Sequence, residues 1–264
     1  MRHQLSGYQQ YPIWTRRPTP KDRRRTADIN EWVVRELDFH PDEIQRQVLV
    51  STTRRGILNC SRQWGKSTVV AAKALHHAVH NPDSLILVAA PSMRQSVEFL
   101  KKARQFVRKL GFPVKGDGEN KASIVLPNQS RILGVPDNED TVRCFSGPAL
   151  LLVDEASRVS DGLYHSLRPM LATSNGALWL MSTPNGKQGF FYEAWTQDGA
   201  WTRIQATAEQ CPRIPKDFLD EERRTISSGL FRQEYCCEFV AAEGALFDED
   251  LLRSRITKRV LPLW

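Results

Sequence analysis

The chain has 264 residues, 41% of them hydrophobic and 25% charged, with a formal net charge of +7. That length supports a substantial core, in one large α/β domain or one such domain with a small appendage. No apolar stretch approaches membrane-spanning length and the polar start is no secretory signal, which argues against a membrane-embedded or exported class; the five cysteines, odd in number and without C-x-x-C spacing, point to a reduced intracellular compartment.

Residues 1–27 read as a basic Pro/Arg-rich arm. Arg2, Arg16, Arg17, Lys21, Arg23, Arg24 and Arg25 face a single acid there, Asp22, so the arm carries most of the positive charge and the rest of the chain is close to neutral. The basic global balance therefore does not imply a nucleic-acid face on the core. With Tyr8, Tyr11 and Trp14 interleaved, the arm fits either contact with phosphates or a partner, or a solvated tail.

Residues 28–184 alternate between helix and strand. The pattern predicts a helix over 28–37, a turn over 38–45 into a second helix with Pro41 in its first turn, and a strand near 56–59. A buried strand follows over 84–90, then a long helix capped by Ser92 and reaching about residue 110. A short antiparallel pair is expected over 122–126 and 131–135 around the Pro127-Asn128 turn, then the acidic strand within 150–156, a helix near 163–171 and a strand over 177–181. This alternation predicts a mostly parallel sheet with helices on both faces. Beyond residue 185 the pattern changes to short helical pieces over 190–195, 216–225 and 230–239, read as a small lid or linker subdomain through residue 264. The apolar end Val260-Leu261-Pro262-Leu263-Trp264 is what a chain cut from something longer, or docked on a partner, would carry.

Chemistry enters at Asn59-Cys60-Ser61-Arg62-Gln63-Trp64-Gly65-Lys66-Ser67-Thr68, between an apolar run and a helix-like stretch. Backbone N–H groups at a helix start form an anion site, Lys66 brings a charge to the β/γ-phosphates of a nucleoside triphosphate, and the Ser67 hydroxyl is spaced to ligate Mg²⁺. Gly65 lets the backbone approach the phosphates. Cys60 stands where the usual loop has its first glycine. Ser61, Arg62, Gln63, Gly65, Lys66, Ser67 and Thr68 form the candidate nucleotide-binding set. The second motif, Leu150-Leu151-Leu152-Val153-Asp154-Glu155-Ala156, is an apolar strand ending in two carboxylates. Asp154 is placed to hold hydrated Mg²⁺ and Glu155 to take a proton from the water attacking the γ-phosphate. Together the motifs predict a P-loop NTPase of the RecA/ASCE type. His76 and His80 are four residues apart but lack the metalloprotease pattern, and read as surface or core histidines rather than metal ligands.

With these residues in view, the chain resembles the ATPase domain of the large terminase subunit, the DNA-packaging motor of tailed double-stranded DNA bacteriophages. The resemblance spans about residues 38–250. It rests on the Ser61-Arg62-Gln63-x-Gly65-Lys66-Ser67 loop, Val153-Asp154-Glu155-Ala156, Ser182-Thr183-Pro184, and the run from Phe231-Arg232-Gln233-Glu234-Tyr235 through Glu238-Phe239 to Leu246-Phe247. By position, the resemblance implies that Gln45 reads adenine, Arg62 stands beside the γ-phosphate, Arg143 is an arginine finger reaching a neighbouring subunit, and Ser182 and Thr183 couple hydrolysis to movement. It further implies ATP and Mg²⁺ as cofactors and double-stranded DNA, a portal protein and a small terminase subunit as partners. A homo-oligomeric ring, pentameric in the family, and a place in the host cytoplasm, transiently at the procapsid portal, follow from the same resemblance. The family's nuclease domain would follow this region; only Asp248, Glu249 and Asp250 are acidic after Phe247, so no nuclease activity is expected of this chain. A helicase-like translocating ATPase and a nucleotide-gated assembly module with little turnover are the rival readings.

Overall fold

In the computed structural model of the protein the described residues are 28–113, 122–135, 142 and 145–241. The basic arm, Arg143, and the segment from 242 onward, with Leu246, Phe247, Asp248, Glu249 and Asp250, lie outside them. In chain order the elements are α1 (Ile29–Leu37), α2 (Glu43–Val50), β1 (Arg55–Cys60), α3 (Lys66–His80), β2 (Leu85–Ala89), α4 (Met93–Lys109), β3 (Ser123–Val125) and β4 (Arg131–Gly134). Then come β5 (Leu150–Asp154), α5 (Asp161–Leu167), β6 (Ala177–Ser182), α6 (Gly189–Thr196), β7 (Thr202–Ala206), α7 (Lys216–Thr225) and α8 (Ser228–Cys236).

The strands form one sheet in the order β3-β4-β2-β5-β6-β1-β7. Every pairing is parallel except that of β3 with β4. An apolar core fills each face: Trp32, Leu75 and Phe99 belong to the one under α1, α3 and α4, Leu163 and Phe191 to the one under α5 and α6. All five residues of β5 are buried, as an uninterrupted apolar run in a doubly covered sheet requires. Among the described residues no helix is long and apolar enough to cross a membrane.

Three local expectations change. Pro41 does not enter α2; Asp42 caps that helix and exchanges hydrogen bonds with Gln45, so the proline lies just before the cap. The helix expected over 163–171 gives way at Arg168 to a 3₁₀ turn, Arg168–Leu171, because Pro169 has no N–H to continue the α ladder. The segment beyond 185, expected as helical pieces alone, also donates a strand to the sheet: β7 pairs with β1 from Gly56↔Thr202 to Cys60↔Ala206. Only Ile204 and Ala206 of β7 are buried, an edge strand's alternation that a five-residue polar stretch barely announces.

One face of α3 carries an unusual load. The Lys73 ammonium donates to the carbonyls of Val48 (3.0 Å), Leu49 (2.9 Å) and Ser51 (2.6 Å), closing the C-terminal end of α2. Burial lowers its pKa to about 8, so it is still charged at neutral pH. Beside it, the His76 and His80 rings lie 4.2 Å apart, and both meet Trp32 edge-on. Burial, then the neighbouring His80, Lys73 and His77, pushes His76 down to about 3. The unfolded chain therefore binds a proton between about pH 3 and 6.5 that the folded chain refuses. Stability from this group is complete above pH 6.5 and falls as acid is added, by about 1.4 kcal/mol per pH unit. Thermal melts should drop between pH 7.5 and 5.5, and His76→Phe should flatten that drop; identical slopes for both proteins would contradict the assignment.

Candidate active site

The C-terminal ends of β1, β6 and β5 lie side by side, with Asn59 opposite Ser182 and Asp154 opposite Met181. The two motifs and the Ser182-Thr183-Pro184 segment thus meet on one edge of the sheet, where open α/β folds bind ligands. The strand carrying Ser182 stands between the two motif strands. Side chains of Asp28, Asp42, Ser92, Ser160 and Ser227 cap α1, α2, α4, α5 and α8, while α3 at Gly65, α6 at Gln188 and α7 at Pro215 start with no side-chain cap. Gly65 has φ +98°, and a Cβ on it would come within 3.1 Å of the Gln45 amide nitrogen. The start of α3 thus leaves its first backbone N–H groups without a side-chain acceptor, at the edge where the two motifs meet.

Lys66 reaches across this edge to Glu155, with Nζ 2.8 Å from Oε1. Next to that pair, the Ser67 hydroxyl donates to Asp154 Oδ2 at 3.0 Å. Burial raises the pKa of Asp154, the adjacent Glu155 charge adds to the rise, and Lys66 and the Ser67 hydrogen bond oppose it. Burial works against the Lys66 ammonium, but the charges around it win and its pKa is raised. Cys60 contributes nothing charged at neutral pH, since burial pushes its thiol up to about 12, which leaves Glu155 and Asp154 as the groups that hold the Lys66 proton. The Glu155 backbone is left-handed, at φ 51° and ψ 42°, a conformation that costs a non-glycine residue about 1 kcal/mol or more and is concentrated at functional sites.

Gln45 is buried and braces the loop: its amide donates to the Trp64 carbonyl at 3.2 Å while its oxygen accepts from Asp42 N. Each end of that amide keeps one unspent hydrogen-bonding valency. Arg213 meets the same carbonyl at 2.6 Å and Asp42 Oδ2 at 3.0 Å. Arg62 turns toward α8, where Nε lies 3.3 Å from Glu234 Oε2 and its own N–H donates to the Glu234 carbonyl. Gln63 is exposed in a left-handed conformation, and Thr68 is half-buried in the first turn of α3. Ser182 and Thr183 are buried and tied to the second motif through Ser157, whose hydroxyl lies 2.7 Å from Ser182 Oγ and donates to the Thr183 carbonyl at 2.8 Å.

Three buried polar atoms at this edge, Asn59 Oδ1, Ser61 Oγ and Thr183 Oγ1, have no hydrogen-bond partner. Such orphans cost about 1–3 kcal/mol each; others among the described residues, such as Asn30 Oδ1, Trp32 Nε1, His76 Nε2 and Trp179 Nε1, lie away from this edge. Arg158, Arg213, Ser157 and the role of Glu234 escape sequence reasoning. Arg213 stands 171 positions from its partner Asp42, a separation at which no spacing rule operates.

Comparison with known proteins agrees with the geometry. Residues 57–254 match the family model described as the terminase large subunit, T4likevirus-type, N-terminal. A terminase large subunit of Escherichia phage T5 is 28% identical over 198 residues, covering 71% of this chain but 44% of that relative, so the chain spans less than half its length. The large terminase ATPase domain of Thermus phage P74-26 superposes with a TM-score of 0.71 at 19% identity, covering 81% of this chain and all of that one. The HK97 bacteriophage large terminase gives 0.66 at 18% identity, over 80% of this chain and 54% of the other. The strand order, the parallel sheet and the match over most of the sequence converge: the chain belongs to the N-terminal family of the phage terminase large subunit.

Proposed function

We propose that this chain binds ATP at the edge formed by β1, β6 and β5, hydrolyses it, and uses the energy to drive double-stranded DNA into a procapsid. The observation that carries the reading is the 2.8 Å pair of Lys66 with Glu155 beside the 3.0 Å pair of Ser67 with Asp154. A cation for the phosphates, a carboxylate for the attacking water, and a hydroxyl with a carboxylate for a hard metal ion stand within one cluster. Among structurally similar proteins, the large terminase of a thermophilic bacteriophage has been solved in complex with ADP, with a TM-score of 0.67 at 15% identity over 79% of this chain and 56% of that one.

In this reading Lys66 leaves Glu155 for the β/γ-phosphates, and Glu155 then accepts the proton of the attacking water. Ser67 and Asp154 offer two oxygen donors side by side, a set that suits Mg²⁺. When bound, that ion supplies charge neutralisation on the phosphoryl oxygens. Ser61, Arg62, Gln63, Gly65 and Thr68 line the phosphates, Gln45 offers its spare amide valencies to the adenine edge, and Arg62 swings from Glu234 to the γ-phosphate. Ser182 and Thr183, linked to the second motif by Ser157, transmit the loss of that phosphate. Arg143 serves as the finger of a neighbouring subunit in a ring, and the portal protein and small subunit are the assembled motor's partners.

Phosphate release by the purified chain, measured with ATP, Mg²⁺ and double-stranded DNA and again after chelation with EDTA, tests this. Metal-dependent turnover is expected, and nucleotide-independent behaviour throughout would contradict it.

A further inference from the structure

Arg158 ends the 3₁₀ turn Ala156–Arg158 that follows β5, and its guanidinium lies between two carboxylates from different parts of the chain. Nη1 is 3.8 Å from Glu155 Oε2 and Nη2 is 3.9 Å from Glu234 Oε1 on α8. Neither contact is short enough for a strong hydrogen bond. Arg158 is a charge shared between two acceptors, free to close on either. Glu234 is nearly buried, with its other oxygen facing Arg62 and its carbonyl holding the Arg62 N–H. The result is a continuous alternation of charge, Lys66, Glu155, Arg158, Glu234, Arg62, that begins and ends in the phosphate loop and passes through α8.

Nucleotide phosphates compete for both ends of that row. Once Lys66 and Arg62 turn toward them, Glu155 and Glu234 each lose a cation, and Arg158 is the group already poised between the two. We propose that Arg158 is a positioning residue that takes hold of Glu155 when the nucleotide draws Lys66 away, and that Glu234 makes this hold depend on where α8 sits. Lid position and hydrolytic competence would then be linked by a side chain that touches neither nucleotide nor water. A merely structural role is a poor rival, since the Arg158 side chain is 39% exposed and exposed ion pairs add little to stability.

This inference rests on the ATP-hydrolysing reading of the site, and its test separates the two. Phosphate-release kinetics and binding of a fluorescent ATP analogue are measured on the full chain for the wild type, Arg158→Ala, Arg158→Gln, Arg158→Lys and Glu234→Gln. With Arg158→Ala, kcat should fall about 30-fold, while KM, analogue affinity and melting temperature stay near wild type. Arg158→Gln should behave alike and replaces Arg158→Ala should that variant not fold; Arg158→Lys should restore most of kcat, and Glu234→Gln should lower kcat by a smaller factor. Wild-type kcat in both neutral variants, a loss that appears in KM or affinity instead, or a lysine variant no better than alanine overturns the positioning role alone. A wild-type chain that neither binds nor hydrolyses ATP overturns the functional reading, and this inference with it.

Discussion

Replacing Glu155 by glutamine should lower ATP turnover by about 1,000-fold, within the range attributed to a positioned general base. Binding should move the other way. Glu155 holds Lys66 at 2.8 Å, and the two side chains are only 26% and 12% exposed. ATP must break that pair before Lys66 can meet a phosphate. Glutamine keeps the shape, removes the charge and frees Lys66 in advance, so ATP affinity should rise by up to about fivefold, the value of a partly exposed ion pair worth about 1 kcal/mol. The signature is therefore a split: slow chemistry with tight retention of unhydrolysed ATP on a filter or a desalting column. Normal turnover in Glu155→Gln would remove the carboxylate from the chemistry.

Lys66→Ala should fail earlier in the cycle. Lys66 faces Asp154 and Glu155 together, and those two carboxylates support its charge in return. Without the ammonium the phosphates meet two carboxylates and no compensating cation from α3. Nucleotide affinity should weaken by about 100-fold or more and turnover should become undetectable, as expected when a charge aimed at the transferred phosphoryl group is removed from a preorganised site. The companion control is Lys66→Arg, which keeps the charge on a bulkier, planar head and should recover only part of the binding. Calorimetric titration with ADP separates the outcomes, and wild-type affinity in the alanine variant would show that the loop does not hold phosphate.

Much of this architecture was legible in the sequence because it depends on local rules. The uninterrupted apolar run before Asp154 can only be a doubly covered strand, and it is buried throughout. Ser92 announced the start of α4 through its capping chemistry. Lys66, Ser67, Asp154 and Glu155 were readable as one cluster because two short motifs fix them to the C-terminal ends of β1 and β5, on one edge of the sheet with β6 between them. What stayed hidden is long-range or ambiguous. β7 is short, polar on one side and set among helices, and becomes a strand because the edge of β1 is open to it. The three carbonyl partners of Lys73 exist only once α2 ends above α3, so no local pattern marks that lysine. Gln45 was expected on the adenine; it is found bracing the loop, because the Asp42 cap turns its side chain toward the Trp64 carbonyl. Arg158 and Glu234 meet only when α8 folds back against the motif edge.

That folding back also accounts for how firmly α8 is attached. The Asn59 amide donates to the Cys237 carbonyl at 2.9 Å, and Ala208 N donates to the Tyr235 carbonyl at 2.8 Å. The Gly186 N–H, just past Pro184, donates to the Gln233 side chain at 3.2 Å. These hydrogen bonds join the strand before the phosphate loop and the segment after Ser182 and Thr183 to α8.

The central claim, that one nucleotide comes between Lys66 and Glu155, is open to direct view. A crystal structure of the chain with ATPγS and Mg²⁺ should place the terminal phosphates against the start of α3, with Lys66 drawn off Glu155 and onto them. A nucleotide bound elsewhere, or bound here with the Lys66 and Glu155 side chains still paired at 2.8 Å, would contradict the account.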